Sequence, residues 1–313
     1  MTSLTPASLA AIARLRAYNS RPFPVWDRLP MSRRAAVLIL LFAGRRGELR
    51  VVITMRASTL RSFSGQAALP GGKADTLEET PFEMARREAW EEIGLPNDDS
   101  KIPKPFRIEH LCQLPFSLAK TELAVRPCVA FLHSDDASSN NPASVEDNMI
   151  PQLDAKEVAA VFSAPLHNFL RKEDEVPEGV NVPGKKSDWY DGQWTDWHSC
   201  RWRMHNFHVP INNQKVSKPK VREDGQEAFA EVPEKLEDEP ERYLVWGMTA
   251  RILVDAARVA FGEDPEFEFN AHIGDEETIT KLHKQGMLKE KTGAADVSIR
   301  KAVQATQESS SKI

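Results

Sequence analysis

The chain has 313 residues, of which 41% are hydrophobic, and its 41 basic and 46 acidic side chains give a formal net charge of -5. This length and composition allow one sizeable core or two modest ones, and the net acidity disfavours nucleic-acid binding by bulk electrostatics. No apolar run approaches the roughly 20 residues of a membrane span, and the 3 isolated cysteines indicate a reducing compartment.

The N-terminal segment, residues 1–29, is predicted to form a short amphipathic helix and a linker. Between residues 4 and 17, one helical stripe contains the apolar residues Leu4, Ala11, Ile12 and Leu15. Arginines occur in this segment with no acidic residue before Asp27. The segment is therefore also similar to a mitochondrial transit peptide.

Two strands are predicted next, and they begin a larger domain that spans residues 30–262. Residues 35–43 form a continuous apolar run, which is typical of a buried central strand. Residues 49–55 return as the neighbouring strand after a turn that contains glycine.

Two arginines and two glycines follow these strands. The guanidinium groups of Arg56 and Arg61 suit phosphate oxygens, because arginine binds such oxygens bidentately. The alternative is that both arginines are surface ion-pair partners. Gly71 and Gly72 would let the backbone approach a metal or a phosphate closely, which any Cβ would hinder.

A helix is predicted over residues 81–93. Thr80 is a good N-cap, and Glu83 three residues later completes a capping box. Pro81 occupies the first helical position, where its missing N–H is not needed. Gly94 supplies the left-handed residue that ends the helix.

Glu88, Glu91 and Glu92 are spaced so that their side chains converge on one side of this helix. Three carboxylates this close repel one another unless a cation lies between them. Oxygen ligands of this kind suit Mg²⁺ or Mn²⁺ rather than Zn²⁺. A Glu-rich helix face can also be merely solvated, but the glycine loop before the helix favours a metal site.

The segment resembles the signature box of the Nudix hydrolases. The matching positions are Gly72, Glu79, Arg87, Glu88, Glu91, Glu92, Gly94 and Leu95. Six residues rather than five separate Gly72 from Glu79, and Ala89 occupies a position that is usually a larger aliphatic residue. The resemblance implies an α/β fold, an α/β/α sandwich with a mixed curved β-sheet and a metal-binding loop-helix-loop.

The same resemblance implies the roles of the charged residues. Glu88, Glu91 and Glu92 would bind the metal and serve catalysis, one of them or Glu157 taking a proton from water. Arg87 would orient the carboxylates by hydrogen bonds. Glu79 would support the loop or bind a water near the metal.

The preceding residues 51–72 resemble the extra motif of the coenzyme A diphosphatase branch of this family. The matching positions are Thr54, Arg56, Leu60, Arg61, Gly65, Pro70, Gly71 and Gly72, whereas Phe63 and Leu69 depart from the pattern. This implies an enzyme that hydrolyses coenzyme A (CoA) or acyl-CoA to 3′,5′-ADP and 4′-phosphopantetheine. Arg56, Arg61, Gly71 and Gly72 would bind the substrate.

Later segments resemble the same branch. Residues 106–132 are similar to its paired strands, residues 154–170 to its next strand and helix, and residues 243–262 to its closing helix. A polar insertion at about 211–240 is predicted to be disordered, and residues 263–313 are predicted to be a tail with one possible helix near 275–288.

Four tryptophans precede that insertion, namely Trp189, Trp194, Trp197 and Trp202. They could stack an adenine or line a pantetheine groove. Such a cluster is more often local core or an oligomer contact, and either a monomer or a homodimer is expected.

The last residues, Ser311, Lys312 and Ile313, are close to the peroxisomal address read by an import receptor. A peroxisomal location is therefore expected, with a mitochondrial or cytosolic one as the alternative. Two other functions stay open: hydrolysis of another nucleoside diphosphate derivative (ADP-ribose, NADH or an oxidised dNTP), and a non-catalytic CoA or nucleotide sensor.

Overall fold

The computed structural model describes residues 4–56, 66–134, 144–150, 158–176, 182–198, 200–211, 214, 216 and 241–290. Several predictions from the sequence lie outside these residues. They concern Leu60, Arg61, Phe63, Gly65, Glu157, almost all of the polar insertion, and Ser311 to Ile313.

The described residues form four α-helices and eleven β-strands. The helices are α1 (Pro6–Ala17), α2 (Pro81–Ile93), α3 (Gly247–Phe261) and α4 (Glu276–Lys284). The strands are β1 (Arg34–Ala43), β2 (Leu49–Arg56), β3 (Ala67–Ala68), β4 (Gly71–Lys73), β5 (Phe106–Gln113), β6 (Ser117–Leu118), β7 (Ala124–Ser134), β8 (Val158–Pro165), β9 (Tyr190–Trp197), β10 (Cys200–Pro210) and β11 (Arg242–Trp246).

The first eight strands form one mixed sheet. Its central order is β3-β2-β1-β7-β5, and β4, β6 and β8 pair with β1, β7 and β2. The strands β1 and β7 run parallel, whereas the other pairs in this sheet are antiparallel. The predicted mixed sheet is confirmed, and β1 lies at its centre as its continuous apolar sequence indicated.

Helices cover both faces of this sheet. Alternate residues of β1 pack in different clusters, because side chains alternate across a strand. Leu38 packs in the cluster that contains Ala85 of α2, whereas Ile39 packs in the cluster that contains Ile12 of α1 and Leu253 of α3. The mixed α/β fold with flanking helices is therefore confirmed, and α2 lies on one face of the sheet.

The predicted α1 is confirmed by its cap and its buried stripe. The Thr5 side chain accepts a hydrogen bond from the Ser8 backbone N–H, which begins the helix. Ala11, Ile12 and Leu15 are buried in the core.

A second sheet, with the order β11-β10-β9, contains the tryptophan-rich segment. Trp189 is fully buried, so its interpretation as local core is confirmed. The guanidinium of Arg203 lies 5.5 Å from the ring centroid of Trp194. The rings of Trp197 and Trp202 meet edge to face with centroids 5.3 Å apart.

The predicted closing helix at 243–262 is wrong in its first residues. These residues form β11, because their backbone pairs with β10, as in the register of Val209 with Tyr243. The helix α3 begins only at Gly247, whose φ of 62° turns the chain out of the strand.

Residues after 262 continue to pack against the domain. The helix predicted near 275–288 is confirmed as α4, and Ile279 and Leu282 are buried in the same cluster as α2. Arg251 of α3 pairs with Asp275 at 2.7 Å. Residues 263–290 thus contribute to the core, while the domain boundary at 262 stays a prediction. Among the helices of the described ranges, none is both long and apolar enough to cross a membrane.

Candidate active site

The helix α2 carries the predicted carboxylates, and its local sequence fixes its position. The capping box of Thr80 and Glu83 is formed, and Gly94 ends the helix with a φ of 69°. Ala85, Ala89 and Ile93 are fully buried against the sheet. Because these residues face the sheet, the glutamates lie along the side of the helix that borders β4.

Glu92 and Gly71 connect α2 to β4. The Gly71 N–H donates a hydrogen bond to Glu92 Oε2 at 3.1 Å, and Glu92 is only 9% exposed. A Cβ on Gly71 would lie 2.7 Å from the Val37 Cα, which is closer than real Cβ contacts. Glycine at this position is therefore required by the space beside β1, and the predicted approach of its backbone to a metal or phosphate stays a prediction.

Gly72 and Glu88 make the closest approach in this region. A Cβ on Gly72 would lie 2.6 Å from Glu88 Oε2, so any larger residue would displace the carboxylate. The absent side chain lets the Glu88 carboxylate rest against the backbone of β4. The predicted approach of the Gly72 backbone to a metal or phosphate stays a prediction.

Arg87 holds several acceptors together. Its Nε donates to Glu79 Oε1 at 2.8 Å, and its Nη1 donates to Glu88 Oε1 at 3.1 Å and to Glu91 Oε2 at 3.2 Å. Its Nη2 donates to the Lys73 carbonyl oxygen at 2.9 Å. Burial disfavours the charged guanidinium, but these carboxylates outweigh that penalty and raise the pKa of Arg87.

Glu79 links the loop to the helix. Besides accepting from Arg87, it accepts a hydrogen bond from the Asp75 N–H at 3.1 Å. Asp75 also lies 3.5 Å from Arg87 Nε. The sequence reasoning did not single out Asp75 or the Lys73 carbonyl, and their position between Gly72 and Glu79 was the available signal.

The Glu88 carboxylate is partly buried between Arg87 and the β4 backbone. Burial raises the pKa of Glu88, and repulsion from Glu91 adds to the effect, while the charge and hydrogen bond of Arg87 oppose it. The carboxylate is therefore short of positive charge. A hard cation beside it would supply that charge.

The carboxylate oxygens of the α2 glutamates determine which kind of metal ion fits this site. Among the residues that the structure describes, no group of three or more His, Cys, Asp or Glu side chains is arranged to hold a metal ion. The reason is that Glu92 accepts from the Gly71 N–H, whereas Glu88 and Glu91 share Arg87 Nη1. The oxygen donors on one helix still fit a hard divalent cation, and the set of three ligands stays a prediction.

Arg56 is at the end of β2 and is half-buried. Its Nε is buried and has no hydrogen-bond partner among the residues that the structure describes. Its backbone N–H donates to the Gln66 carbonyl oxygen at 3.0 Å, which places it next to the strand that leads to Gly71. A guanidinium with an unused buried donor suits an anionic ligand.

Comparison with known proteins agrees with this geometry. The family model described as the NUDIX domain matches residues 32–179. Peroxisomal coenzyme A diphosphatase 1 of Saccharomyces cerevisiae is 31% identical over 295 residues, which cover 89% of this chain and 84% of that protein.

Two further relatives are similar over three quarters of the chain. A peroxisomal coenzyme A diphosphatase of Mus musculus is 24% identical and matches 78% of this chain and 77% of its own length. Nudix hydrolase 15, mitochondrial, of Arabidopsis thaliana is 33% identical and matches 75% of this chain and 61% of its own length. The chain belongs to the Nudix hydrolase family, whose members act on diphosphate bonds and generally use divalent metals.

Proposed function

We propose that this protein hydrolyses the diphosphate bond of CoA or acyl-CoA, giving 3′,5′-ADP and the matching 4′-phosphopantetheine. The observation that carries the proposal is the group of α2 carboxylates that Arg87 and the Gly71–Gly72 backbone hold together. The substrate assignment is supported by two relatives that are named coenzyme A diphosphatases.

The cofactor in this proposal is Mg²⁺ or Mn²⁺, held by Glu88, Glu91 and Glu92. Such an ion, when bound, neutralises charge on the diphosphate and lowers the pKa of a water. The chain supplies the oxygen donors and also the raised pKa of Glu88, which favours binding of a cation at that carboxylate.

The protein's own groups orient the reaction. Arg87 holds the carboxylates of Glu88 and Glu91 within 3.2 Å of a single nitrogen, so the two side chains do not move apart under their mutual repulsion. Glu92 keeps the backbone of Gly71 in place. One of these glutamates, or Glu157, takes the proton from the attacking water.

Arg56 is proposed to bind a phosphate of the substrate. Within the described ranges its buried Nε lacks a hydrogen-bond partner, and an oxygen of a phosphate would supply one. Arg61 is assigned the same role from the sequence. CoA carries a 3′-phosphate that ADP-ribose lacks, so these arginines can discriminate between the two compounds.

The deciding experiment is product analysis by chromatography. The protein is incubated with CoA, acetyl-CoA or ADP-ribose in the presence of Mn²⁺, and the expected result is release of 3′,5′-ADP from CoA or its thioester. Cleavage of ADP-ribose with no cleavage of either CoA compound would overturn the substrate assignment. Tight binding of CoA without any product would instead favour the sensor.

The proposed location is the peroxisome. The relatives from Saccharomyces cerevisiae and Mus musculus are named peroxisomal, whereas one from Arabidopsis thaliana is named mitochondrial. A fluorescent protein fused before residue 1 should co-localise with a peroxisomal marker. Deletion of Ser311 to Ile313 should release it to the cytosol, and a mitochondrial signal would contradict the proposal.

A further inference from the structure

The first residue of β1 connects the segment before that strand to the loop of the candidate active site. The Arg34 side chain is buried, and its three guanidinium nitrogens each donate to a backbone carbonyl oxygen. Nε donates to Leu29 at 3.0 Å, and Nη2 donates to Asp27 at 3.1 Å. Nη1 donates to Leu77 at 3.4 Å, in the loop that leads from β4 to α2. One rigid fork therefore binds both segments at once.

The segment before β1 is a firm support for this guanidinium. Trp26 and Leu29 are buried in the same core cluster as the apolar face of α2. The Arg34 Cζ lies 5.3 Å from the ring centroid of Trp26, and that ring stacks on Phe116 with centroids 4.8 Å apart. Because the core fixes this segment, the direction in which Arg34 donates to Leu77 is fixed as well.

The loop between β4 and α2 needs a contact of this kind. It is one residue longer than the signature that it resembles, and a longer loop has more conformational freedom to lose on folding. The Leu77 side chain is 54% exposed, so it does not hold the loop by packing in the core. Arg34 holds the loop at two points, since its carbonyl oxygen also accepts from the Ala74 N–H at 3.1 Å.

The position of the loop affects the carboxylates through Glu79. Glu79 lies near the end of this loop and accepts from Arg87 Nε at 2.8 Å. The same guanidinium donates through Nη1 to Glu88 and Glu91. A loop that moved away from Arg34 would take Glu79 with it, and Arg87 would lose an acceptor that orients it.

We propose that Arg34 is a positioning residue of the metal site. Arg34 acts through the loop rather than on the carboxylates: it ties the loop to residues 26–29, so that Glu79 stays against Arg87 and the α2 glutamates stay aligned for a divalent ion. The inference rests on the proposed function, in which these glutamates bind Mg²⁺ or Mn²⁺. Residues before the matched family domain thereby contribute to the site, because the carbonyl oxygens of Asp27 and Leu29 orient the guanidinium that holds the loop.

Binding of Mn²⁺ to the full chain tests the proposal, with the free ion measured by electron paramagnetic resonance. Arg34→Lys keeps the positive charge, but an ammonium on a flexible stem does not reproduce a rigid fork that meets three carbonyl oxygens. The dissociation constant for Mn²⁺ should rise about tenfold in this variant, as for groups that orient metal ligands.

Arg33→Lys is the matched control. Arg33 and Arg34 are both 7% exposed, and Arg33 also donates to backbone carbonyl oxygens, those of Glu122, Met287 and Lys289. These three acceptors lie outside the loop between β4 and α2, so the control measures the general effect of losing a buried guanidinium. Its dissociation constant for Mn²⁺ should stay within about twofold of the parental value, well below the change expected from the loss of a group that orients metal ligands.

A double variant tests the route through Glu79. If Arg34 acts by placing Glu79, then Arg34→Lys should weaken Mn²⁺ binding no further in a chain that already carries Glu79→Gln. A further loss of about tenfold in the double variant would mean that the two effects are additive. Additive effects would overturn the proposal.

The proposal also fails if Arg34→Lys binds Mn²⁺ as tightly as the parent, or if Arg33→Lys weakens binding equally. Unfolding of Arg34→Lys alone, seen by circular dichroism, would overturn it too, since Arg34 would then serve the general stability of the fold. A failure of the substrate assignment is distinguishable: cleavage of ADP-ribose instead of CoA would leave the role of Arg34 intact, because the Mn²⁺ measurement involves no nucleotide. A parent chain that binds no Mn²⁺ would overturn both the metal site and the role of Arg34.

Discussion

The surroundings of each glutamate on α2 determine which hydrogen bonds its carboxylate makes. Glu91 and Glu92 differ in their surroundings, since Glu91 is bound by Arg87 whereas Glu92 is buried beside the Gly71 N–H. Glu91→Gln and Glu92→Gln are each expected to lower turnover by about a hundredfold or more, because each removes a negative charge from the catalytic group. Steady-state assays at saturating Mn²⁺ measure this effect.

The fold should survive both changes. A glutamine oxygen can still accept from the Gly71 N–H or from Arg87, so far-ultraviolet circular dichroism should match that of the parent. Parental turnover in either variant would show that the carboxylate has no catalytic role.

A substitution at Gly72 tests whether the close approach of β4 to α2 is needed for turnover. Gly72→Ala would place a Cβ 2.6 Å from Glu88 Oε2 and push that carboxylate from its position. Turnover is expected to fall about tenfold to a hundredfold, as for groups that position metal ligands. Gly44→Ala is a useful comparison, since Gly44 lies in the β1–β2 turn, away from α2; equal loss of turnover in both variants would contradict the local explanation.

At the scale of the element, the capping box determines where α2 begins. Thr80 Oγ1 accepts from the Glu83 N–H. The Thr80 hydroxyl and the Thr80 backbone N–H both donate to Glu83 Oε2, and these two bonds lower the pKa of Glu83. Thr80→Ala should lower the free energy of unfolding by about 1 kcal/mol. Urea titration measures the loss, and Thr80→Ser should restore most of it because serine keeps the hydroxyl. Equal stability of the alanine and serine variants would show that the cap contributes little.

At the scale of the whole molecule, a buried charge cluster joins α3 to the residues before α4. Burial raises the pKa of Asp255 from 3.8 to about 6, although Arg251, Arg258 and the Gly274 N–H oppose the shift. The folded protein therefore binds a proton at Asp255 between these two pH values, where the unfolded chain does not. This group's contribution to stability is complete below pH 3.8 and is lost as the pH rises through about 6.

Asp255→Asn should remove this pH dependence. The protonation of Asp255 contributes up to about 3 kcal/mol to the free energy of unfolding. Urea unfolding at a series of pH values measures this contribution. Asp196→Asn, an exposed carboxylate on β9, is the control and should keep the parental slope. An unchanged slope in Asp255→Asn would show that other groups produce the pH dependence.

The sequence by itself determined the structural features that depend on residues close together in the chain. The bounds of α2 follow from Thr80, Pro81, Glu83 and Gly94, because capping bonds and backbone preference act within one or two turns. The burial of β1 follows from its continuous apolar run, since such a strand needs cover on both faces.

Only the tertiary structure decided the features that depend on contacts between segments far apart in the chain. Residues 243–246 belong to the segment that resembles the closing helix of the family, yet they form part of β11 because β10 offers backbone partners. Arg87 binds Glu79, Glu88 and Glu91 at once, because the loop brings Glu79 back to the helix. Arg126 and Ser20 meet across a separation of 106 residues, which no local pattern records.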